Sequence, residues 1–270
     1  MITASLVLYH NSIQDVNTLL NCVLESIIEK LYIIDNSRND AFRILEQRSP
    51  KIRYIHSENV GYGSAHNIAM REAMTQKSSY HVILNPDIIF DPTIIESLSQ
   101  YMNTHKDVGH IMPKVFYPNG DLQFLCKLIP TPLDLIFKRF LPNYITNRRL
   151  YKFQLRFADY DQPMNVPYLS GCFMFLRMSV LEQIGLFDER FFMYPEDIDL
   201  TRRIHEKFKT LYYPKVSIIH AHAAASKNNL HMLKIHIFNM IKYFNKWGWF
   251  FDNKRKLTNK QTLKNLGYYD

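Results

Sequence analysis

Apolar runs and helical periodicities alternate along the first hundred residues. The runs "ASLVLYH" and "KLYIIDNS" predict strands, and "VNTLLNCVLES" between them has apolar residues at helical spacing. The strands "KIRYIHS" and "YHVILNPD" continue the series, with the helices "SAHNIAMREAM" and "PTIIESLSQYM". Such alternation is typical of βαβ units, so it predicts an α/β protein with a mostly parallel sheet flanked by helices.

Polar turns follow four of these strands. They read "YHNS", "DNS", "ENVGYG" and "NPD". The carboxyl ends of parallel strands meet at one edge of a sheet, and ligands bind beyond that edge. We therefore expect the four turns to form one rim and that rim to carry a site.

The second half of the chain is less regular. From about Lys127 to Pro167 the pattern is poor, and we interpret this part as an excursion near the site. Strand and helix patterns return in "YLSGCFMFLRMSVLEQIGLFDE", and "LYYPKVSIIHAHAAAS" predicts a late strand that ends in histidines. One long amphipathic helix is predicted from Leu230 to Phe251.

Composition places the chain among globular proteins. It has 270 residues, of which 47% are apolar, so one large α/β domain, with or without an appendage, is expected. Cys22, Cys126 and Cys172 are far apart and odd in number, which predicts free thiols and a reducing cytoplasm. We expect neither a signal peptide nor a membrane-spanning helix, because no uncharged apolar run reaches about 18 residues.

The positive charge is concentrated near the C terminus. Between Lys227 and Lys264 nine Lys or Arg accompany one acid, an excess that equals the formal net charge of +8. We predict that residues 227–270 form a basic amphipathic helical tail whose Trp247 and Trp249 enter an anionic membrane surface. A docked helix with a solvated basic face is the alternative. The continuous apolar stripe argues against nucleic acid as the partner.

The glycine turn in "ENVGYGSAHN" precedes a helix. Backbone N–H groups near Gly61 and Gly63 could approach a phosphate or a base there, although a plain strand-to-helix turn explains them equally well. No Gly-Lys-Ser/Thr follows, which excludes a phosphate loop, and the glycine spacing does not match the dinucleotide-binding fingerprint.

Candidate metal ligands end two strands. Asn85 and Asp87 point the same way at the end of "ILNPD", and a carboxylate with diphosphate oxygens is a usual site for a hard divalent ion. An Asn-Pro turn is the simpler interpretation. His220 and His222 share one face of the late strand, where either a structural or a ligating role is possible.

The stretch "FFMYPEDIDLTRRI" places Glu196, Asp197 and Asp199 after a wall of aromatic residues. An unpaired carboxylate is costly in such surroundings. Arg202 and Arg203 lie one turn after Asp199, so a helix salt bridge explains that acid. Glu196 and Asp197 have no such partner, and paired acids in a cleft suit general-base catalysis.

These motifs, in this order, resemble the family-2 glycosyltransferases, most of all bacterial rhamnosyltransferases of polysaccharide assembly. The resemblance runs from about Ala4 to Lys256, through "NVGYGSAHN", "LNPD", "HAHAAAS" and the closing "KYFNKWGWFFDNKRK". The block "GLFDERFFMYPEDIDL" is its most specific part. The resemblance implies a GT-A fold, a Rossmann-like sheet with residues 1–100 as the nucleotide-binding half and 101–226 as the acceptor half.

The resemblance also implies an activity. It is the inverting transfer of a sugar, L-rhamnose from dTDP-L-rhamnose, to a lipid-linked saccharide in bacterial surface polysaccharide assembly, at the inner face of the cell membrane. UDP-sugar donors such as galactofuranose stay open. A non-catalytic saccharide-binding protein is disfavoured because Asp87, Asp197 and His220 are intact. A sugar nucleotidyltransferase would need a glycine-rich basic loop after the first strand, which "YHNSIQDV" lacks.

Site residues carry over by position. Asp197 matches the catalytic base, with Glu196 as its neighbour. Asp87 is the second acid of an Asp-x-Asp motif for Mg²⁺ or Mn²⁺, and His220 matches a late metal ligand, although His222 is close enough to confuse the register. The residues that would bind the nucleotide sugar are Tyr9, Asp35, Asn59, Gly61 and Asn85, the last replacing the first acid of the motif.

Overall fold

The computed structural model describes residues 1–135, 143–221 and 230–269. The first elements are β1 (Ile2–Leu8), α1 (Ile13–Glu25), β2 (Lys30–Asp35), a 3-10 helix (Ala41–Arg48), β3 (Ile52–His56), α2 (Tyr62–Thr75), β4 (Tyr80–Leu84), β5 (Ile88–Phe90), α3 (Thr93–Thr104) and β6 (Val108–Phe116). They are followed by β7 (Cys126–Lys127), α4 (Asn143–Phe153), β8 (Met164–Asn165), β9 (Tyr168–Leu169), β10 (Phe173–Arg177), α5 (Met178–Ile184), α6 (Glu196–His205), β11 (Lys209–His220), α7 (Leu230–Trp247) and α8 (Asn253–Asn265).

One large mixed sheet runs through the molecule in the order β3-β2-β1-β4-β10-β6-β11-β5, with β8 added beside β11. The first four strands of this order are parallel, as predicted. β10 then runs antiparallel to both β4 and β6, whereas β11 is parallel to β6. The sheet is therefore mixed. Its parallel part consists of β1 to β4, which belong to residues 1–100, whereas β5 of the same segment lies at the opposite edge, antiparallel to β11.

Strand β6 is not predicted from the sequence, although it lies between β10 and β11 in the middle of the sheet. Its sequence "VGHIMPKVF" contains glycine, proline and a histidine, residues that interrupt a strand pattern. The side chain of His110 is buried, and that of Lys114 is only partly so. Tertiary packing on both faces makes this segment a strand, which local propensity alone does not indicate.

Helix α1 begins where the sequence provides a capping box. The Ser12 hydroxyl accepts a hydrogen bond from the Asp15 N–H (3.2 Å), and the Asp15 carboxylate accepts one from the Ser12 N–H (2.8 Å). The apolar stripe that follows, including Val16, Leu19 and Val23, is buried. Capping and periodicity therefore fix both the start of α1 and the face it turns to the sheet.

Helices cover both faces of the sheet. α1 and α3 pack with β1 and β4 in one apolar core, which contains Leu6 and Val82. α2, α5 and α6 pack in a second core on the other face, around Val7, Met70 and Leu200. Alternate residues of β1 contribute to opposite cores, as the pleat of a strand requires. This layering leaves the carboxyl-end edge of the parallel strands open.

The C-terminal part forms two helices and not the single helix predicted over 230–251. α7 ends at Trp247, and Gly248 follows with φ +98°, a conformation that favours glycine. α7 packs its Met240, Tyr243 and Phe244 in an apolar cluster with Phe191 and with Ile198 of α6. None of the helices among the described residues is long and apolar enough to cross a membrane. The predicted boundary between 226 and 227 lies outside the described residues.

A buried ion pair attaches α8 to α6. The Arg202 guanidinium donates to both Asp252 oxygens (2.8 and 2.9 Å), and both side chains are almost fully buried. The Arg202 guanidinium also lies 3.8 Å from the centre of the Trp247 ring. Asp252 in turn caps α8 by accepting from the Arg255 N–H (2.9 Å). The contact between Arg202 and Trp247 corrects the expectation that Trp247 enters a membrane, since the Trp247 ring packs against α6.

We predict that Asp252→Asn destabilises the protein by about 3–5 kcal/mol, because it leaves the buried Arg202 charge unpaired while keeping a residue that can cap α8. Asp107→Asn is the matched control. It removes the exposed Lys209–Asp107 pair (2.7 Å) and should change the free energy of unfolding by about 1 kcal/mol or less. Urea unfolding of both variants measures the difference. Equal effects would show that the buried pair does not hold the C-terminal helices.

Candidate active site

The predicted rim forms where the sequence places it. The turns after β1, β2 and β3 contact one another: the His10 N–H donates to the Ser37 hydroxyl (3.3 Å), and the His56 ring lies 2.9 Å from the Ser37 carbonyl. β11 is parallel to β6 and ends at His220, and β10 begins beside the end of β4 at Phe173. The rim therefore also receives the late histidine and the "SGC" turn that precedes β10.

Asp197 lies in the first turn of α6 and faces that turn. Its Oδ2 accepts from the Gly171 N–H (2.9 Å) and from the Tyr168 hydroxyl (3.4 Å), and its Oδ1 accepts from the Ile198 N–H (2.8 Å). A side chain at Gly171 would place a Cβ 2.9 Å from Asp197 Cβ, so only glycine allows this approach. Three donors thus orient the carboxylate that the sequence indicates as the base.

The adjacent acids Glu196 and Asp197 differ in how far burial shifts their pKa values. Burial raises the pKa of Asp197 to about 6, opposed by the positive charge of Lys127 and the hydrogen bond from Gly171. Burial, together with the negative charge of Asp197, raises the pKa of Glu196 well above its usual range. Glu196 Oε2 has no hydrogen-bond partner among the described residues. Burial favours the uncharged form of Glu196 more strongly than that of Asp197, so Asp197 is the better candidate for the carboxylate that accepts a proton near neutral pH.

Tyr62 connects the two sides of the rim. It lies within the "NVGYGSAHN" motif, but its sequence context indicated no role for it. Its hydroxyl donates to Asn85 Oδ1 (2.7 Å) and lies 3.3 Å from the Gly171 carbonyl. Burial raises its pKa well above the usual range, and the negative charge of Asp197 adds to this effect. Tyr62 is therefore a neutral hydrogen-bonding group between the candidate base and the "NPD" turn.

The candidate metal ligands Asp87 and His220 are neighbours. Asp87 Oδ1 lies 3.3 Å from His220 Nε2, and Asn85 Nδ2 lies 3.5 Å from the same nitrogen. His222 lies outside the described residues. Within 1–135, 143–221 and 230–269 no group of three or more His, Cys, Asp or Glu side chains is arranged to hold a metal ion. A carboxylate and an imidazole nitrogen fit a divalent cation whose other ligands are diphosphate and water oxygens.

A buried glutamine supports His220 from the other side. Gln123 Oε1 lies 3.1 Å from His220 Nδ1, and Gln123 Nε2 donates to the His220 carbonyl (2.6 Å). Gln123 is 97 residues away in sequence and belongs to none of the motifs, so no sequence signal indicated it.

The other predicted nucleotide-sugar residues lie on the rim with different exposures. Tyr9 is half exposed, and Asn59 is exposed. Asp35 is fully buried, and its oxygens accept from the Tyr54 hydroxyl (2.7 Å) and the Ser37 N–H (2.9 Å). Asp35 therefore supports the rim from below in this conformation, and its predicted contact with a nucleoside stays a prediction.

The glycine turn at Gly61 contacts the loop that precedes Asp197. Its backbone N–H groups, which could otherwise bind a phosphate, already donate to other residues of the protein. The Gly61 N–H donates to Asn59 Oδ1 (3.3 Å), and the Tyr62 N–H donates to the Phe192 carbonyl (2.9 Å). Gly61 has φ +92°, and a Cβ there would lie 2.4 Å from the Phe192 oxygen. The close approach of two backbones explains this glycine, whether or not the turn also contacts the donor.

Helix α7 holds the same loop from the opposite side. The Asn239 amide donates to the Met193 carbonyl (3.0 Å), and the Lys242 ammonium donates to the Arg190 carbonyl (2.8 Å). Tyr194, the residue after Met193, has φ +92°, a conformation that costs a non-glycine residue roughly 1–3 kcal/mol. Contacts from two helices therefore maintain a strained loop just before Asp197.

Comparison with known proteins explains this arrangement. A model of the family described as glycosyltransferase like family 2 matches residues 16–233. The chain belongs to glycosyltransferase family 2. An N-acetylglucosaminyl-diphospho-decaprenol L-rhamnosyltransferase of Mycobacterium tuberculosis is 27% identical over 223 residues, which cover 76% of this chain and 71% of the relative.

Solved glycosyltransferases share the fold of this family-2 chain. A mannosyltransferase of Pyrobaculum calidifontis, solved with GDP-Man and Mn²⁺, has a TM-score of 0.60 at 15% identity, covering 91% of this chain and 63% of that one. GalNAc-T7, solved with UDP, GalNAc and Mn²⁺, has a TM-score of 0.59 at 11% identity, covering 81% of this chain and 43% of that one. Both are GT-A glycosyltransferases, so the expected GT-A fold is confirmed. The chain spans less than half the length of GalNAc-T7.

We predict that Gly61→Ala displaces the loop before Asp197 and lowers both stability and turnover, because its Cβ would overlap the Phe192 carbonyl. Gly120→Ala is the matched control, since Gly120 has φ +87° but nothing within 4 Å of its Cβ position. Gly61→Ala should cost roughly 1–3 kcal/mol more than Gly120→Ala in urea unfolding. If the two variants lose the same stability and neither loses turnover, the close backbone approach does not matter to the site.

Proposed function

We propose that this family-2 glycosyltransferase moves a sugar from a nucleoside diphosphate donor to an acceptor hydroxyl with inversion at the anomeric carbon. One observation carries the proposal: the Tyr62 hydroxyl contacts two groups of residues on opposite sides of it. On one side, here called the base side, the Gly171 N–H binds the Asp197 carboxylate. On the other, here called the cation side, Asn85 lies beside Asp87 and His220. A donor diphosphate on the cation side would place its sugar between the two. A base on the opposite side is the geometry that inversion requires.

The proposed step is a single displacement. Asp197 takes the proton of the acceptor hydroxyl while that oxygen forms a bond to the anomeric carbon. The bond from the anomeric carbon to the diphosphate oxygen breaks, and the diphosphate leaves with its electron pair. A divalent cation held by Asp87 and His220 would offset the charge of this leaving group. The Gly171 and Ile198 N–H groups hold the Asp197 carboxylate in one orientation.

For the substrates we propose L-rhamnose from dTDP-L-rhamnose and a lipid-linked saccharide of bacterial surface polysaccharide assembly. Support comes from the name of the M. tuberculosis relative, a rhamnosyltransferase that acts on a diphospho-decaprenol-linked sugar. A UDP-sugar donor such as galactofuranose is the second candidate. It is favoured only by the UDP bound to GalNAc-T7, a much more distant protein.

For the location we propose a peripheral position at the inner face of the cell membrane. Two basic residues of the predicted tail are not available to bind a membrane. Lys246 forms ion pairs with Asp188 and Asp199, and Arg255 is buried. What α8 exposes instead is a stripe of lysines one turn apart, Lys256, Lys260 and Lys264. Next to α8, Phe251 is 92% exposed, and Phe250 and Leu257 are also largely exposed. Basic residues beside exposed aromatic ones suit an anionic lipid surface.

We predict that Asp197→Asn lowers turnover by a factor of ~100 or more while leaving donor affinity unchanged, because it removes the general base. In the native enzyme kcat/KM should rise as pH increases through about 6 and then level off, since Asp197 must lose its proton to act. Calorimetry with dTDP-L-rhamnose and UDP-sugars, together with a pH series of initial rates, measures these effects.

Two variants serve as controls for the base. Glu196→Gln should lose less turnover than Asp197→Asn, because burial raises the pKa of Glu196 and favours its uncharged form, which the amide resembles. Asp107→Asn, an exposed change in a surface ion pair, should leave the rate unchanged. Near-native transfer by the Asp197→Asn enzyme, or a larger loss for Glu196→Gln, would contradict the assignment.

We predict that changing Lys256, Lys260 and Lys264 together to Gln releases the protein from vesicles that contain phosphatidylglycerol. Each basic residue near an anionic surface contributes ~1 kcal/mol, and salt screens the attraction. The fold and soluble-donor binding should be retained because these lysines are exposed. Co-sedimentation with vesicles at low and high salt measures the release.

The charge-matched control changes three exposed lysines elsewhere, Lys77, Lys106 and Lys215, to Gln. This variant has the same net charge and should still bind the vesicles. If the two triple variants behave alike, binding depends on total charge and not on the α8 surface. Failure of the unmodified protein to bind phosphatidylglycerol vesicles at low salt would contradict the membrane proposal.

A further inference from the structure

The side chain of Gln123 is buried, and both of its polar atoms contact His220. The residue follows the turn after β6, and its own N–H donates to the Val115 carbonyl (2.9 Å). Its amide nitrogen donates to two backbone carbonyls, those of His220 (2.6 Å) and Phe116 (3.3 Å). Its amide oxygen lies 3.1 Å from His220 Nδ1.

The two carbonyls determine which way the amide of Gln123 points. A backbone carbonyl oxygen only accepts hydrogen bonds, so the atom that faces both carbonyls must be the NH₂ group. The reverse orientation would place the amide oxygen 2.6 Å from the His220 carbonyl oxygen, two acceptors without a proton between them. The oxygen of the Gln123 amide is therefore directed at His220 Nδ1.

This orientation determines the protons of the His220 ring. An amide oxygen accepts, so Nδ1 must carry the hydrogen in the contact with Gln123. The side chain of Cys172 also hydrogen-bonds with His220, but a thiol can donate or accept and does not oppose this assignment. Asn85 Nδ2, at 3.5 Å from Nε2, is a donor and agrees with it.

We propose that Gln123 is a positioning residue that holds Nδ1 of His220 protonated and directs its Nε2 toward Asp87 as the cation-binding atom. The inference rests on the proposed use of a divalent cation and adds the residue that prepares its imidazole ligand. Gln123 does not touch the cation or the substrate. Partners of this kind typically change metal affinity by 10–100-fold when they are removed.

The experiment measures Mn²⁺ binding by calorimetry in the presence of excess dTDP, without a sugar acceptor. Gln123→Met keeps the length and the burial of the side chain but removes both hydrogen-bonding groups. We expect Mn²⁺ to bind roughly 10–100-fold more weakly to this variant. In the assay of transfer, the Mn²⁺ concentration for half-maximal rate should rise by the same factor, and saturating Mn²⁺ should restore the rate.

A double-mutant cycle isolates the contact. In a His220→Ala background, Gln123→Met should weaken Mn²⁺ binding no further, because the ring that it orients is gone. Gln154→Met is the matched control, since Gln154 is also buried but its amide oxygen accepts from Arg156 (2.8 Å). This control should bind Mn²⁺ as the native protein does.

Three outcomes overturn the inference, and they can be told apart. If Gln123→Met binds Mn²⁺ with native affinity, Gln123 does not position the ligand, although the metal site stands. If Gln123→Met weakens binding equally with and without His220, the glutamine acts on the fold and not through the ring. If the native protein with dTDP does not bind Mn²⁺, or if Asp87→Ala binds it equally well, the proposed cation site itself fails and this inference with it.

Discussion

The position of the candidate base Asp197 depends on the contacts of a neighbouring buried carboxylate, that of Asp199. It is fully buried in α6, two residues after Asp197, and it receives the Arg203 guanidinium (2.8 Å), the Trp247 indole N–H (2.7 Å) and the Lys246 ammonium (2.6 Å). A buried carboxylate without such partners is strongly destabilising. Two of these three partners belong to the end of α7, so α7 stabilises the buried charge of α6. The strained loop before the base is held by contacts from the same helix α7.

A chain of hydrogen-bonding groups connects the supports of the two halves of the site. Gln123 contacts His220, His220 adjoins Asn85, and Asn85 accepts from Tyr62. Tyr62 in turn reaches the carbonyl of Gly171, whose N–H holds Asp197. The two halves of the candidate site are thus linked by hydrogen-bonded side chains, of which Gln123 and His220 are buried and Tyr62 and Asn85 partly buried. A site assembled in this way keeps the distance between its two reactive groups without help from the substrate.

Local patterns were sufficient for part of this picture. The parallel strands, the rim and the order of Asp87, Asp197 and His220 follow from periodicity and from motif spacing, which act over short stretches of chain. Gln123 could not be found in this way, because its contact with His220 joins residues 97 positions apart. The sequence does indicate the Asp199–Arg203 salt bridge, one turn apart, but not the partners in α7, which depend on tertiary packing. The missed strand β6 has the same cause.

The position of α7 in the chain has a consequence for biosynthesis. A chain leaves the ribosome N-terminal part first, and its early elements can begin to pack before the late ones exist. The sheet and the rim are complete by His220, yet the partners of Asp199 and Arg202 are Lys246, Trp247 and Asp252. These contacts of α6 can therefore form only after residues 246 to 252 have been synthesised. The candidate base, in the first turn of α6, reaches its final surroundings only at that late point of synthesis.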